Sequence, residues 1–250
     1  MTKQGMFSTL NPKSLIFIDI ETVMSEEKFS DLSTRFQDLW IAKCERVGLK
    51  LDTELLPEDA HQKLWENNAA LYPEFLKIVC VSIGYYEPNG KFKTQTYING
   101  GEKGILLSVY EKLSELSGNK LIAHKGNNFD YPVLIKRYII NKLQIPQKLW
   151  NFDKKPWEVG LLDTAQIWKF NGGGSNNAAS LDLLAGSFGL PSPKQDVKGS
   201  DVYKYYYNVG GIYGENGIEK IGKYCANDVI TLSNIVNSII GIDEITPLVE

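Results

Sequence analysis

The apolar positions of the chain fall into two rhythms. Short runs of Ile, Val, Leu and Phe, the signature of strands buried on both faces, occur at residues 15–20, 78–86, 120–123 and 161–162. Between them apolar residues recur every third or fourth position, the spacing of a helix with one buried stripe. In the first run, side-chain alternation points Phe17, Asp19 and Glu21 one way and Ile16, Ile18 and Ile20 the other. Residues 25–75 read as a helical insertion. Leu32, Phe36, Leu39, Trp40 and Val47 form a packing stripe stopped by Gly48, and a second helix starts at Pro57 and carries Ala60, Leu64 and Asn68 on one face. Residues 78–86, a turn at 87–90 and the alternation of Phe92, Thr94, Thr96 and Ile98 predict a hairpin beside the first strand.

The remainder continues in the same alternation. A helix over 102–117, with Ile105, Leu106, Val109, Leu113 and Leu116 packing, is expected to close at Gly118, and a strand follows to His124. Pro132 marks the first turn of a helix that opens near Phe129-Asp130 and offers Val133, Leu134, Tyr138 and Ile139 for packing. A last strand over 161–164, a flexible loop at 172–177, a helix capped by Ser180 and ending by Gly189, and a long helix over 218–240 complete the chain. The 172–177 loop lacks the lysine of a phosphate cradle. Strands alternating with helices, with no linker or repeat dividing them, predict one α/β domain over 1–250.

Composition narrows the function classes. A hydrophobic content of 43% is enough for a full core. No apolar run reaches membrane-spanning length, and Met1-Thr2-Lys3-Gln4-Gly5 lacks the apolar core of a signal peptide, so a soluble, cytoplasmic protein without membrane association is expected. Cys44, Cys80 and Cys225 lie far apart without metal-ligand spacing, which points to reduced core residues. The net charge is -3 and the arginines are limited to Arg35, Arg46 and Arg137, so any phosphate chemistry must rest on bound cations and local lysines.

Acidic residues mark the candidate chemistry. Asp19 and Glu21 lie side by side at the end of the first strand, where two anions are costly unless a cation compensates; an acidic strand end facing solvent is the plainer alternative. Asp130 opens a helix and could serve as its N-cap. Tyr224 and Asp228, four apart, share one face of the last helix.

Taken in order, Ile18-Asp19-Ile20-Glu21-Thr22, Phe129-Asp130 after a His-containing strand end, and Tyr224-Cys225-Ala226-Asn227-Asp228 resemble the three motifs of the DEDD exonucleases of the ribonuclease H-like fold, in the version with tyrosine in the third motif. The likeness is strongest to the proofreading domain of family B DNA polymerases and its stand-alone bacterial relatives, predicted 3'-5' exonucleases; it spans a core of about 14–240 and implies a mixed central sheet flanked by helices. It implies hydrolysis of phosphodiester bonds at single-stranded 3' ends, DNA favoured, with two Mg2+ or Mn2+ ions held by Asp19, Glu21, Asp130 and Asp228. It further implies that Asp19 bridges, Glu21 and Asp228 complete the nucleophile side, Asp130 holds the leaving-group side and Tyr224 orients the water. Thr22, Val23, Lys125 and Phe129 are implied as substrate contacts. Lys125 stands where relatives commonly have Asn and could meet a phosphate as a point charge. The insertion, leaving beside Glu21 with Arg35 and Arg46, is expected to lie over the site and to grip the strand or a protein partner. Two rival readings are an aspartyl-phosphate phosphatase, for which Glu21 is a poor match in the second acidic place, and an inactive nucleic-acid-binding scaffold.

Overall fold

A computed structural model of the chain describes residues 11–118, 120–155, 158–169, 179–194, 197–214, 216–242 and 245–249. The loop expected at 172–177 lies outside the described residues. The elements run β1 (Leu15–Met24), α1 (Thr34–Val47), α2 (Pro57–Asn68), β2 (Leu76–Tyr86), β3 (Phe92–Tyr97), α3 (Gly101–Glu115), β4 (Lys120–Ala123), α4 (Asp130–Ile140), β5 (Leu161–Asp163), α5 (Thr164–Lys169), α6 (Leu181–Ser187), α7 (Val202–Tyr206) and α8 (Gly217–Ile240). The five strands form one sheet in the order β3-β2-β1-β4-β5. β1 is antiparallel to β2 and parallel to β4, so the sheet is mixed and β1 is its central strand.

The alternation read from β1 sets the two layers. Ile16, Ile18 and Ile20 pack with Ile105, Leu106, Val109 and Leu113 of α3 and with Tyr131, Leu134 and Tyr138 of α4. On the other face Leu15 and Phe17 pack with Val229, Leu232 and Val236 of α8. Asp19 and Glu21 share the parity of Phe17 and so face the α8 side. A register shift opposite Glu21 and Thr22, which pair with Cys80 and Ile78, leaves Val79 as the extra residue of a bulge in β2. Val79 and Cys80 consequently both enter the cluster under α8, with Ile221 and Cys225. α8 can press this close because Gly84 carries no side chain: a Cβ there would lie 2.6 Å from Cγ1 of Val229.

The insertion docks at the far end of β1. Trp40, Cys44, Trp65 and Phe75 close around Met24, and Tyr207 of the segment after α7 donates from its hydroxyl to the Met24 carbonyl at 2.7 Å. α1 buries only Trp40 and Cys44, so Phe36, Leu39 and Val47 stay exposed, contrary to the packing role expected of them. Ile139 is likewise exposed, because the buried face of α4 runs through Tyr131, Leu134 and Tyr138. α3 ends at Glu115 rather than at Gly118; the glycine is instead required where the chain crosses β1, since a Cβ would meet Cγ1 of Ile16 at 2.9 Å. Gly48 does end α1 as expected, with φ 75° in the left-handed region. A buried ion pair braces the opposite layer. Arg137 of α4 donates to both carboxylate oxygens of Glu102 in α3 and to the Pro73 carbonyl, and Glu102 also accepts the Ile78 N–H of β2. No helix among the described residues is long and apolar enough to cross a membrane.

Candidate active site

The structure brings the three acidic motifs together beside the carboxyl-terminal half of β1. Ligand atoms of Asp19, Glu21 and Cys225 lie within 4.8 Å of one another. The carboxylate of Asp130 reaches from α4 toward β1, near enough for the Ile20 N–H and its own N–H to hold its pKa down against burial. It is the first residue of its helix, with Phe129 as the cap, and is almost fully buried, so the N-cap alternative does not describe it. Tyr224 of α8 lies one turn before Asp228, near enough for its phenol to hold the Asp228 pKa down against burial. Glu21 is buried, whereas Asp19, Tyr224 and Asp228 remain partly open.

The charges in this cluster oppose one another. Burial, then Asp228 and Asp130, raise the pKa of Asp19 well above the carboxylate range. Burial, then Asp19 and Asp228, do the same to Glu21. Asp130 is pushed up to about 7, mainly by burial, with the backbone donors pulling against it. Asp228 is also raised to about 7 by burial, despite the Tyr224 hydrogen bond and the cation of Lys194. Burial and the acids Asp228, Glu21 and Asp19 drive the Tyr224 phenol upward, so it is neutral near pH 7. A set of oxygen donors that repel one another and are starved of water fits a hard divalent cation, which supplies the missing countercharge.

Two residues that build the site carry signals that are easily read otherwise. Asp163 ends β5, is 3% exposed and accepts N–H bonds from Lys125 (2.9 Å), Asn127 (3.2 Å) and Ala165 (2.9 Å). It thereby fixes the loop that delivers Phe129 and Asp130. Its signal is an acid closing an apolar strand run, the same one that marks Asp19. Cys225, expected only as core, sends its thiol to Asp19 at 3.2 Å. Its neighbour Tyr224 was the visible signal, since adjacent residues on a helix can border one site.

The expected substrate contacts are placed less uniformly. The Thr22 hydroxyl donates to the Ala70 carbonyl at 2.9 Å, and Val23 is buried against the cluster under α8, so both side chains are engaged within the protein. Phe129 is partly buried against the α3–α4 core. Lys125 has φ 61°, a left-handed conformation in which Asn and Asp are several-fold enriched. Arg35 and Arg46 are exposed on α1, whose buried contacts are with Met24 and Phe75 rather than with the carboxylates. Among the described residues the cation that reaches Asp228 is Lys194, which also pairs with Asp182 at 3.5 Å.

Residues 70–233 match the family described as predicted 3'-5' exonucleases related to the exonuclease domain of PolB. The chain belongs to that family. The matched range contains Asp130, Tyr224 and Asp228, and the structure adds Asp19 and Glu21 on a strand that lies between two matched ones, β2 and β4. Among solved structures, the chain is similar to the family B DNA polymerase of the hyperthermophilic archaeon Pyrobaculum calidifontis, with a TM-score of 0.55 and 13% identity. The likeness covers 90% of this chain and 24% of the polymerase chain, and it shows the shared ribonuclease H-like fold. No curated protein matches the chain.

Proposed function

We propose that the protein is a cytoplasmic, single-domain, metal-dependent 3'-5' exonuclease that removes nucleotides from single-stranded ends, with DNA favoured over RNA. The observation that carries this reading is the pairing of Asp19 and Glu21 beside the central strand, with Asp130 and Asp228 near enough for their charges to raise the pKa values of both. These carboxylates would hold two ions, Mg2+ or Mn2+, which prefer oxygen donors. When bound, such ions polarise a phosphodiester and lower the pKa of water.

The roles of the side chains follow from their surroundings. Asp19 feels both Asp228 and Asp130, so it would hold an ion together with either of them. Tyr224 is influenced by Asp228, Glu21 and Asp19, which puts these acids on its side of the cluster. Held neutral, its phenol orients the attacking water instead of taking its proton. Asp130, near the Ile20 N–H, would hold an ion on the leaving-group side. Lys125 and Lys194 supply local positive charge for phosphates, with partly open Phe129 bordering the strand's last nucleotides, while Thr22 and fully buried Val23 support the site from within. A single-stranded end is preferred because terminal bases must leave the stack to reach the end of a β-strand, at a few kcal/mol in duplex. The outer face of the insertion, where Arg35 and Arg46 flank exposed Phe36 and Leu39, is a further surface for the strand or a protein partner.

Digestion of end-labelled DNA and RNA strands with Mn2+ tests the reading. Release of mononucleotides from 3' ends, abolished by chelation and faster on single strands than on blunt duplex, is expected. Internal cuts in a circular strand, or activity that survives chelation, would overturn it. A protein that binds strands but leaves them intact would be a scaffold.

A further inference from the structure

We propose that the end of α4 remote from Asp130 carries a docking pocket for an acidic peptide segment of a partner protein, which inserts one bulky apolar side chain. The pocket has a volume of about 290 Å³, with Ile135, Ile139, Ile145 and Leu149 as its lining and Trp150 and Phe152 at its edge. That is at the small end of ligand pockets, which run ~300–1,000 Å³, and suits a side chain rather than a large cofactor. Its rim is openly hydrophobic: Phe152 is 90% exposed and Ile139 is 59% exposed. The Trp150 and Phe152 rings lie 6.4 Å apart, and the Trp150 indole donates to Asp153 at 2.7 Å.

Charge says what covers it. Each of Lys136, Lys142, Lys148 and Lys154 lies within three residues of a lining residue. Among the described residues none of these lysines forms an ion pair. Asp153 is the one acid between residues 136 and 155. Lys148 is partly buried, which lowers its pKa, with no carboxylate to compensate. An apolar hole whose lining segments carry four lysines without ion pairs is complementary to carboxylates that flank a hydrophobic anchor.

A nucleic-acid strand meets the cations equally well but not the hole. Bases have polar edges, and burying them against a lining whose one polar member is Asn151 leaves those edges unpaired. A phenylalanine or leucine side chain has nothing to leave unpaired. Nine residues of helix separate Ile139 from Asp130, about 14 Å at 1.5 Å per residue, so a protein held here would sit within reach of the acidic site without blocking it. This inference stands on its own geometry and does not depend on the exonuclease reading.

Fluorescence anisotropy tests it, with a fluorescein-labelled peptide of Asp and Glu residues carrying one phenylalanine, a control peptide with serine in its place, and a labelled single-stranded oligonucleotide. The phenylalanine peptide is expected to bind in a salt-sensitive manner and at least tenfold more tightly than the control. Phe152→Ala, Ile139→Ser and Lys148→Glu, the first two at exposed positions, should each weaken it tenfold or more, with melting temperature confirming that each variant is folded. Equal binding of the two peptides, no binding of either, or variants that retain full affinity would overturn the proposal. So would variants that lose the oligonucleotide and keep the peptide, which would make this face a strand-binding surface.

Discussion

The thiol of Cys225 lies 3.2 Å from the carboxylate of Asp19 and 3.4 Å from its backbone carbonyl. Burial, followed by Cys80, Asp19 and Glu21, pushes this thiol's pKa up, so it donates to Asp19 as a neutral group. A hard ion has little use for sulfur, whereas Zn2+ accepts thiolate and carboxylate together. Calorimetry on Cys225→Ala should therefore show Zn2+ affinity lowered tenfold or more with Mn2+ affinity nearly unchanged. Equal losses for both ions would mean that the thiol supports the whole cluster.

Asp228 and Tyr224 should separate in kinetics. Asp228→Ala removes one anion from the cluster, so activity falls to background while the metal-free protein becomes no less stable. Tyr224→Phe keeps the ring and loses one hydrogen bond to a charged group, worth ~1.5–3 kcal/mol, which lowers kcat by roughly one to two orders of magnitude. Full activity in Tyr224→Phe would remove the tyrosine from the mechanism.

The raised carboxylates fix the sign of a pH effect. Asp130 and Asp228 titrate at about 7 in the folded protein, against ~3.9 when unfolded. Between those values the folded state binds more protons, so the metal-free protein loses stability as pH rises from about 4 to about 7. A divalent ion replaces those protons. At an ion concentration of about 100 Kd it adds ~2.7 kcal/mol, roughly 5–10 °C in melting temperature for a chain of this size. Melting curves with and without Mn2+ should show this shift at pH 8 and little of it at pH 5; equal shifts at both would refute the argument.

Lys125→Asn tests a strained turn. The left-handed backbone at this position disfavours lysine and tolerates asparagine, while the N–H bond to Asp163 does not depend on the side chain. The variant should gain about 0.5–1 kcal/mol in urea unfolding, at the low end of what such strain costs. If the ammonium also holds a phosphate, KM rises and kcat stays.

Arg137→Met should be costly. It leaves Glu102 buried without its cation, for which a loss of about 3–5 kcal/mol is expected. Combining it with Glu102→Gln should recover much of that loss in denaturant titrations. A double variant no better than the single one would show that Arg137 acts through the Pro73 carbonyl.

What the sequence shows and hides follows from the range of each interaction. The parity of β1, which sends Asp19 and Glu21 toward α8, is a local property and is legible in seven residues. The stripe of Phe36, Leu39 and Val47 was equally visible, but periodicity cannot say whether anything covers it, and these side chains are exposed. The bulge at Val79 depends on the register between two strands and leaves no mark in either. Asp163 closes an apolar run that marks it locally, but the loop it holds lies 36 and 38 residues earlier, and nothing beside it in the chain says so.

The contact between Asp19 and Cys225 joins positions 206 residues apart. On the ribosome the Asp19–Glu21 pair emerges before α8, and it stays without its partners until α8 has been made and has packed across β1 and β2. A prematurely terminated fragment carries Asp19, Glu21 and even Asp130, yet no Tyr224 or Asp228. Chains stopped before α8 thus lack the complete cluster by topology, and its appearance reports that α8 has been made and has packed across the sheet.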